Sequence, residues 1–225
     1  MLFISNLKDI IYNIWLDIIT GEIIDTRMDT PSNLPTDIHQ RQGSTAAVDK
    51  IVDIPELGEG ITEVMVGTRK FRRHTNPDLT IGGFVENTAT VDPSVYLGIH
   101  TLVYDNAEVH NSVRANGNVH IYGNAKVYGN VQIDENVHVY DYALVADRVR
   151  LSGNVRISGS SWITGSAVIS GDAKISECAM IYGSVIISGS PIIRGHSNLS
   201  GITKIDSDAV IEGITILNRR CDPDK

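Results

Sequence analysis

An aliphatic residue recurs at every sixth position from Leu79 to Leu217, and this period constrains the fold more than any other feature of the chain. An isolated β-strand alternates with a period of two, so a period of six indicates short strands separated by regularly spaced corners. Three such sides close a triangular coil of eighteen residues. The position four residues after each aliphatic residue is nearly always small or β-branched, and we expect both positions to point inward.

The corners are predicted two residues after each aliphatic position. From Asp105 onward this position holds Gly in most repeats and Asp, Glu, Asn or Ser in the others, as in Gly123-Asn124 and Gly153-Asn154. Glycine, Asn and Asp accept a positive φ at low cost, which is what a tight corner requires. The hexads therefore predict an all-β parallel β-helix of seven to eight coils, roughly 35 Å long at the usual strand spacing.

The hexads also carry a family resemblance. The stretch 121–131, Ile-Tyr-Gly-Asn-Ala-Lys-Val-Tyr-Gly-Asn-Val, resembles the hexapeptide-repeat superfamily. That resemblance implies a left-handed parallel β-helix and covers residues 79–217. It is closest to uncharacterised bacterial and phage members that are rich in Tyr-Gly-Asn-Ala. Members of the superfamily are most often trimeric acyl-CoA-dependent acyltransferases whose active sites lie between subunits.

The remaining residues divide into an N-terminal appendage and a short tail. Residues 1–24 place apolar side chains at three- and four-residue spacing, which favours an amphipathic helix, although a hairpin through Thr20-Gly21 is an alternative. Residues 25–50 have the Pro-, Ser- and Thr-rich composition of a linker. Residues 51–78 are predicted to cap the coil, because the ends of a solenoid need covering. Residues 218–225 form a C-terminal tail.

Charge and composition narrow the functional classes. The formal net charge of −8 disfavours a nucleic-acid partner. The chain has two cysteines, too few for a disulfide framework. Charged and polar residues interrupt the apolar N-terminus, so neither a membrane span nor a secretion signal is predicted. We therefore expect a cytoplasmic protein without a membrane partner.

The first face of the coil is predicted to carry a binding surface. Residues eighteen apart stack on one another, which places a tyrosine ladder beside a ladder of histidines and cations. Aromatic rings beside cations are suited to an anionic ligand, for example a nucleotide or a nucleotide sugar; the alternative is a solvated sheet face with stacked rings. The candidate binding residues are Tyr104, Tyr122, Tyr140, His120, His138, Arg156 and Lys174.

The second and third faces are predicted to carry an oligomer interface. Apolar side chains occupy outward positions at the same height on both faces, and exposed apolar columns usually mark an interface. The candidate interface residues are Leu144, Trp162, Met180 and Tyr182 on the second face, and Val168 and Ile186 on the third. A homotrimer is expected, in line with the family resemblance.

The unbroken hexad phase argues against catalysis. Acyltransferases of the superfamily typically extrude a loop between coils, with a histidine as general base, and no insertion interrupts residues 79–217. We therefore predict a non-catalytic, oligomeric binding or scaffold protein without a cofactor, of a kind that a phage could use to block or sequester a host factor. The alternative is an acyltransferase using acetyl-CoA, with His110 or His120 as the base. His120 and His138 could share a metal, as histidines do in the zinc carbonic anhydrases of this fold, but those enzymes use three histidines and no further histidine here completes the set.

Overall fold

The structure is a computed structural model that describes residues 60–213 and the backbone of Ile216–Arg219. The chain divides into two compact units, Met1–Phe71 and Arg72–Lys225. The predicted N-terminal helix, the linker, residues 51–59 and residues 220–225 lie outside the described residues. In the first unit, Lys70 and Glu63 form an exposed ion pair of 2.9 Å.

The described residues form an all-β parallel β-solenoid of about seven turns, without a helix in that part of the chain. Two strands, β1 (Glu63–Val66) and β2 (Arg69–Thr75), precede the coils. The first face comprises β3 (Ile81–Glu86), β6 (Leu102–Val103), β9 (His120–Ile121), β12 (His138–Val139), β15 (Arg156–Ile157), β18 (Lys174–Ile175), β21 (Ile192–Ile193) and β24 (Val210–Ile211).

Along the chain, each strand of the first face is followed by one of the second face and then one of the third. The second comprises β4 (Thr90–Val91), β7 (Glu108–Val109), β10 (Lys126–Val127), β13 (Leu144–Val145), β16 (Trp162–Ile163), β19 (Met180–Ile181), β22 (Asn198–Gly201) and β25 (Ile216–Arg219). The third comprises β5 (Tyr96–Leu97), β8 (Arg114–Gly117), β11 (Gln132–Glu135), β14 (Arg150–Leu151), β17 (Val168–Ile169), β20 (Ile186–Ile187) and β23 (Lys204–Ile205).

The eighteen-residue coil is confirmed by the strand register. Val127 pairs in parallel with Val109 on one side and Val145 on the other, and each step is one coil. The aliphatic position and the small position four residues later are buried throughout the middle coils, as at Ile121 and Ala125. The hydrophobic core is therefore one continuous column inside the solenoid, to which the coils contribute side chains from the same two positions of the hexad.

The corners also have the predicted geometry. The backbone φ is positive two residues after the aliphatic position at every hexad from Asp105 to Gly213 except at Ser207. Acidic side chains at these corners accept hydrogen bonds from the next coil: Gly159 N–H donates to Asp141 Oδ2 at 3.0 Å. A corner side chain thus lies against the backbone of the coil that follows.

The start of the coil differs from the hexad pattern. Leu79 is in phase with the aliphatic series, but it is 82 % exposed because it lies in a turn in which its N–H donates to Asn76 O. The expectation that every aliphatic position points inward is therefore wrong at Leu79, and Val85 is the first such residue in the core. Asn76 takes the place of a preceding strand: its Oδ1 accepts from Leu97 N at 2.8 Å and its Nδ2 donates to Leu97 O at 3.1 Å.

Candidate functional site

Two parallel ladders of rings run down the first face, as the sequence predicts. Tyr104, Tyr122 and Tyr140 stack with centroid separations of 4.7 and 4.9 Å and interplanar angles of 3°. His120 and His138 stack beside them at 4.7 Å and 27°. The ladders form because parallel strands in exact register place the same side chain at every coil, about 4.8 Å apart.

The two ladders also contact each other. The edge of His120 meets Tyr104 at 6.3 Å and 80°, and His138 meets Tyr122 at 6.4 Å and 85°. Edge-to-face pairs of this kind are favourable for aromatic rings, because the positive ring edge meets the negative ring face. The four rings therefore hold one another in fixed orientations.

Burial divides this surface into two parts, which sequence reasoning did not anticipate. Tyr104 is completely buried and His120 is 2 % exposed, with His120 Nε2 3.1 Å from Asn118 Oδ1. Neither ring can meet a ligand in this arrangement. The expectation that the whole column faces outward therefore does not hold for its first members.

The lower part of the ladder is accessible. Tyr122, Tyr140 and His138 are half-buried, and Arg156 and Lys174 are exposed on the next two coils of the same column. We call these five residues the ladder surface. It combines ring edges with two full positive charges, which suits an anionic group bound beside an aromatic or sugar ring.

The apolar side chains predicted for an interface come together on the second and third faces. Leu144, Trp162 and Met180 occupy consecutive coils in register, and Trp162 is 56 % exposed. Val168 and Ile186 pair in register on the third face and are both exposed. With Tyr182, which is exposed two residues after Met180, these residues make up the apolar patch.

His110 lies in a cluster of charged groups on the second face. Its Nδ1 is 3.0 Å from Asp92 Oδ1, and its Nε2 is 3.5 Å from Glu108 Oε2. The hydrogen bond with His110 is the main reason that the pKa of Asp92 is lowered. Glu108 also pairs with Lys126 at 3.0 Å, and this hydrogen bond is the main reason that the Glu108 pKa is lowered. The cluster can orient an imidazole, but both of its ring nitrogens face carboxylates.

His120 and His138 stack ring on ring. Their ring planes face each other rather than converging on a common point, and within residues 60–213 no group of three His, Cys, Asp or Glu side chains could hold a metal ion. Cys178 is exposed and not in a disulfide.

Two features near the start of the coil were missed by sequence reasoning. A groove of about 260 Å³ is lined by residues that include Arg72, Arg73 and His74. Arg73 lies 3.8 Å from the Phe84 ring centroid and donates to Ile99 O at 2.9 Å, so it anchors the first coil. Burial lowers the pKa of His74, the effect of burial outweighing that of its hydrogen bond to the Val95 carbonyl. The run of basic residues at 69–74 is the sequence feature that could have indicated this groove, although it does not reveal these contacts.

The second missed feature lies on the third face, where Arg114 packs over the Tyr96 ring at 4.6 Å between two further grooves. The outward columns of the third face were visible in the sequence, but Tyr96 lies in an early, less regular hexad.

Comparison with family models, with curated proteins and with solved structures finds no match for the chain. In the part of the chain that the structure describes, no helix is long and apolar enough to cross a bilayer.

Proposed function

We propose that the protein is a non-catalytic, oligomeric β-helix that acts as a binding or scaffold protein. The observation that carries the proposal is the apolar patch, in which exposed Trp, Met, Tyr, Val and Ile side chains lie on two faces at the same height. Contiguous exposed apolar side chains of this kind are typical of protein interfaces, where burying them removes their contact with water.

A second copy of the chain is the partner that best fits the patch. The strands of the second face are short and in exact register, so the face presents regular columns of side chains that a like face can pack against. A trimer, which the hexapeptide-repeat resemblance implies, would bury apolar residues from both faces at once. The left-handed fold of that superfamily commonly assembles in this way, and closed symmetric assemblies are the usual outcome for such patches.

The oligomer is tested by analytical ultracentrifugation and native mass spectrometry. The wild-type protein is expected to be a trimer, and Trp162→Glu is expected to dissociate it, because a carboxylate would have to be buried at the interface. Tyr142→Glu is the matched control, since Tyr142 is an exposed aromatic residue outside the patch. A monomeric wild-type protein, or equal effects of the two variants, would refute the assignment.

The ladder surface is proposed to bind the ligand or partner that the scaffold presents. Arg156 and Lys174 supply positive charge, and Tyr122, Tyr140 and His138 supply ring surface beside it. An anionic small molecule with an aromatic ring, or an acidic protein surface, has the complementary chemistry. Sequestering a host factor for a phage is one setting that agrees with the family resemblance, and a cytoplasmic location is expected in that setting.

Native mass spectrometry of freshly purified protein tests this site first, followed by calorimetric titration with ATP as an anionic aromatic probe. The triple variant Tyr122→Ala/His138→Ala/Arg156→Ala should lose both the molecule that co-purifies with the wild-type protein and the binding of ATP. A control with Tyr142→Ala and Arg148→Ala removes one ring and one cation at exposed positions outside the ladder surface. If the triple variant retains every interaction of the wild-type protein, the ladder surface is not the binding site.

Acyl transfer from acetyl-CoA is the alternative, and the contact between His110 and Asp92 is the observation that favours it. A carboxylate on Nδ1 orients an imidazole as a general base, as an acyl acceptor would require. His120, the other candidate base, is buried and less suited to this role. Turnover of acetyl-CoA with a panel of amines and sugars, abolished by His110→Ala, would establish this activity in place of the non-catalytic one.

A further inference from the structure

The third face holds a polar site built around Arg114 and Tyr96. Arg114 follows Tyr96 by one coil in exact register, and its guanidinium carbon lies 4.6 Å from the Tyr96 ring centroid. A guanidinium held over a ring loses rotational freedom before any ligand arrives, so less entropy is lost on binding. The tyrosine therefore preorganises the cation.

The guanidinium is also available for a ligand. Arg114 is exposed, and no carboxylate within residues 60–213 forms an ion pair with it. The nearby Asp78 instead accepts hydrogen bonds from the Thr80 hydroxyl and amide, at 2.6 and 3.1 Å. These hydrogen bonds are the main reason that the pKa of Asp78 is lowered, and the Arg114 charge is a smaller cause. An arginine with unpaired donors is suited to bidentate contact with a carboxylate or a phosphate.

Grooves on both sides of Arg114 supply the rest of the site. One groove, of about 310 Å³, is lined by Tyr96, Arg114, Asn116, Gln132 and Asp134. Gln132 lies one coil below Arg114 and Asp134 one coil below Asn116, so the four polar residues lie two on each of two neighbouring strands. A second groove, of about 360 Å³, shares Tyr96 and Arg114 and is otherwise lined by Pro77, Asp78, Ser94, Ser112 and Asn130. Both volumes lie in the range of small-molecule sites, about 300–1,000 Å³.

The lining chemistry identifies the class of ligand. Amides both donate and accept hydrogen bonds, carboxylates accept them, and hydroxyls do either. Apart from Tyr96 and Pro77 the described lining offers no large apolar side chain. A ligand of matching chemistry carries many hydroxyl groups and one anionic group.

We propose that this third-face site binds an anionic sugar, with its carboxylate or phosphate on Arg114 and its hydroxyls on Asn116, Gln132 and Asp134. The site is distinct from the ladder surface and from the apolar patch, since it uses residues of neither. Sugar acids and sugar phosphates share the required chemistry.

Isothermal titration calorimetry of the full-length protein distinguishes the sources, with glucuronic acid, glucose 6-phosphate, glucose and inorganic phosphate as probes. Either charged sugar is expected to bind more tightly than glucose and more tightly than phosphate. Binding of only one charged sugar supports the proposal and selects the anionic group. Absence of binding by both at millimolar concentrations overturns it, as does phosphate binding that equals that of the sugars.

Variants then locate the site. Arg114→Ala should weaken binding of the charged sugar about tenfold or more, because a charge-assisted hydrogen-bond pair is lost. Arg114→Lys should recover only part of the affinity, since lysine lacks the planar fork. Arg150→Ala is the matched control, an exposed arginine two coils along the same column that lines neither groove. Equal weakening by Arg114→Ala and Arg150→Ala, with thermal stability unchanged in both, would overturn the assignment.

Discussion

The amide of Asn76 should stabilise the first coil of the third face, and its removal is the most direct test of how this solenoid is capped. Asn76 is 2 % exposed, and it makes both hydrogen bonds to Leu97 that a preceding strand would otherwise make. Its Nδ2 also donates to Thr80 Oγ1 at 3.1 Å. Replacing Asn76 with alanine leaves the N–H and the carbonyl of Leu97 without these partners.

The expected cost follows from those two backbone groups. An unsatisfied buried donor or acceptor costs about 1–3 kcal/mol. Water that enters the space left by the amide recovers part of this. We therefore expect Asn76→Ala to lower the free energy of unfolding by about 2–4 kcal/mol. Solenoid coils contact only their neighbours, so the loss of stability should be concentrated in the first coils rather than spread along the solenoid.

Two measurements detect this effect. Urea denaturation at pH 7 gives the change in unfolding free energy, and native-state hydrogen exchange reports the Leu97 amide directly. Asn106→Ala is the control, because Asn106 is exposed and its only side-chain hydrogen bond among the described residues is a long one of 3.5 Å. This control should change the stability by less than about 0.5 kcal/mol.

Asn76→Asp adds a pH dependence with a defined sign. The aspartate keeps an acceptor for Leu97 N–H, but when ionised it presents a negative charge to the Leu97 carbonyl. Burial and this carbonyl raise the pKa of the new carboxyl in the folded state, so the folded protein holds the proton more tightly. The variant should therefore approach wild-type stability as the pH falls from 7 towards 4. An Asn76→Ala protein with unchanged stability and unchanged Leu97 exchange would refute the capping role.

Two further predictions concern the corners and the first coil. In urea denaturation, Gly159→Ala should destabilise the protein by at least about 1–2 kcal/mol more than Gly189→Ala. Both glycines have a positive φ, but an added Cβ would lie 2.5 Å from backbone at Gly159 and 3.3 Å from it at Gly189. Equal losses of stability would show that the spacing between corners is irrelevant. Burial lowers the pKa of His74, so the unfolded state takes up a proton that the folded state resists, and stability should fall as the pH drops from 7 to 5. That part of the loss should disappear in His74→Gln, and an identical pH slope in both proteins would contradict it.

Much of the fold was predictable because the period of a solenoid specifies geometry locally. The hexad identified Ile121 and Ala125 as core residues, and it placed positive-φ corners from Asp105 onward. The eighteen-residue coil then predicted the stacking of Tyr104, Tyr122 and Tyr140, because residues one coil apart must lie side by side. Each of these inferences depends only on position within the repeat.

The alternation of corner residues was present in the sequence but unexplained by it. Down one corner the residues run Asp105, Gly123, Asp141, Gly159 and Glu177. The structure supplies the reason: the side chain of Asp105 accepts a hydrogen bond from Gly123 N–H, and that of Asp141 accepts one from Gly159 N–H. A Cβ on Gly123 or Gly159 would meet the backbone of the next coil within 3 Å.

The sequence by itself determined the coil, its register and the content of each face, since these follow from a repeat in which every residue has a defined neighbour eighteen positions away. Only the tertiary structure decided which outward residues are accessible. Tyr104 and His120 are buried although their columns point outward, and Leu79 is exposed although it is in phase. The Asn76 cap and the groove that Pro77 and Asp78 help to line likewise arise at the start of the coil, where some contacts come from residues that precede the repeat and no period describes them.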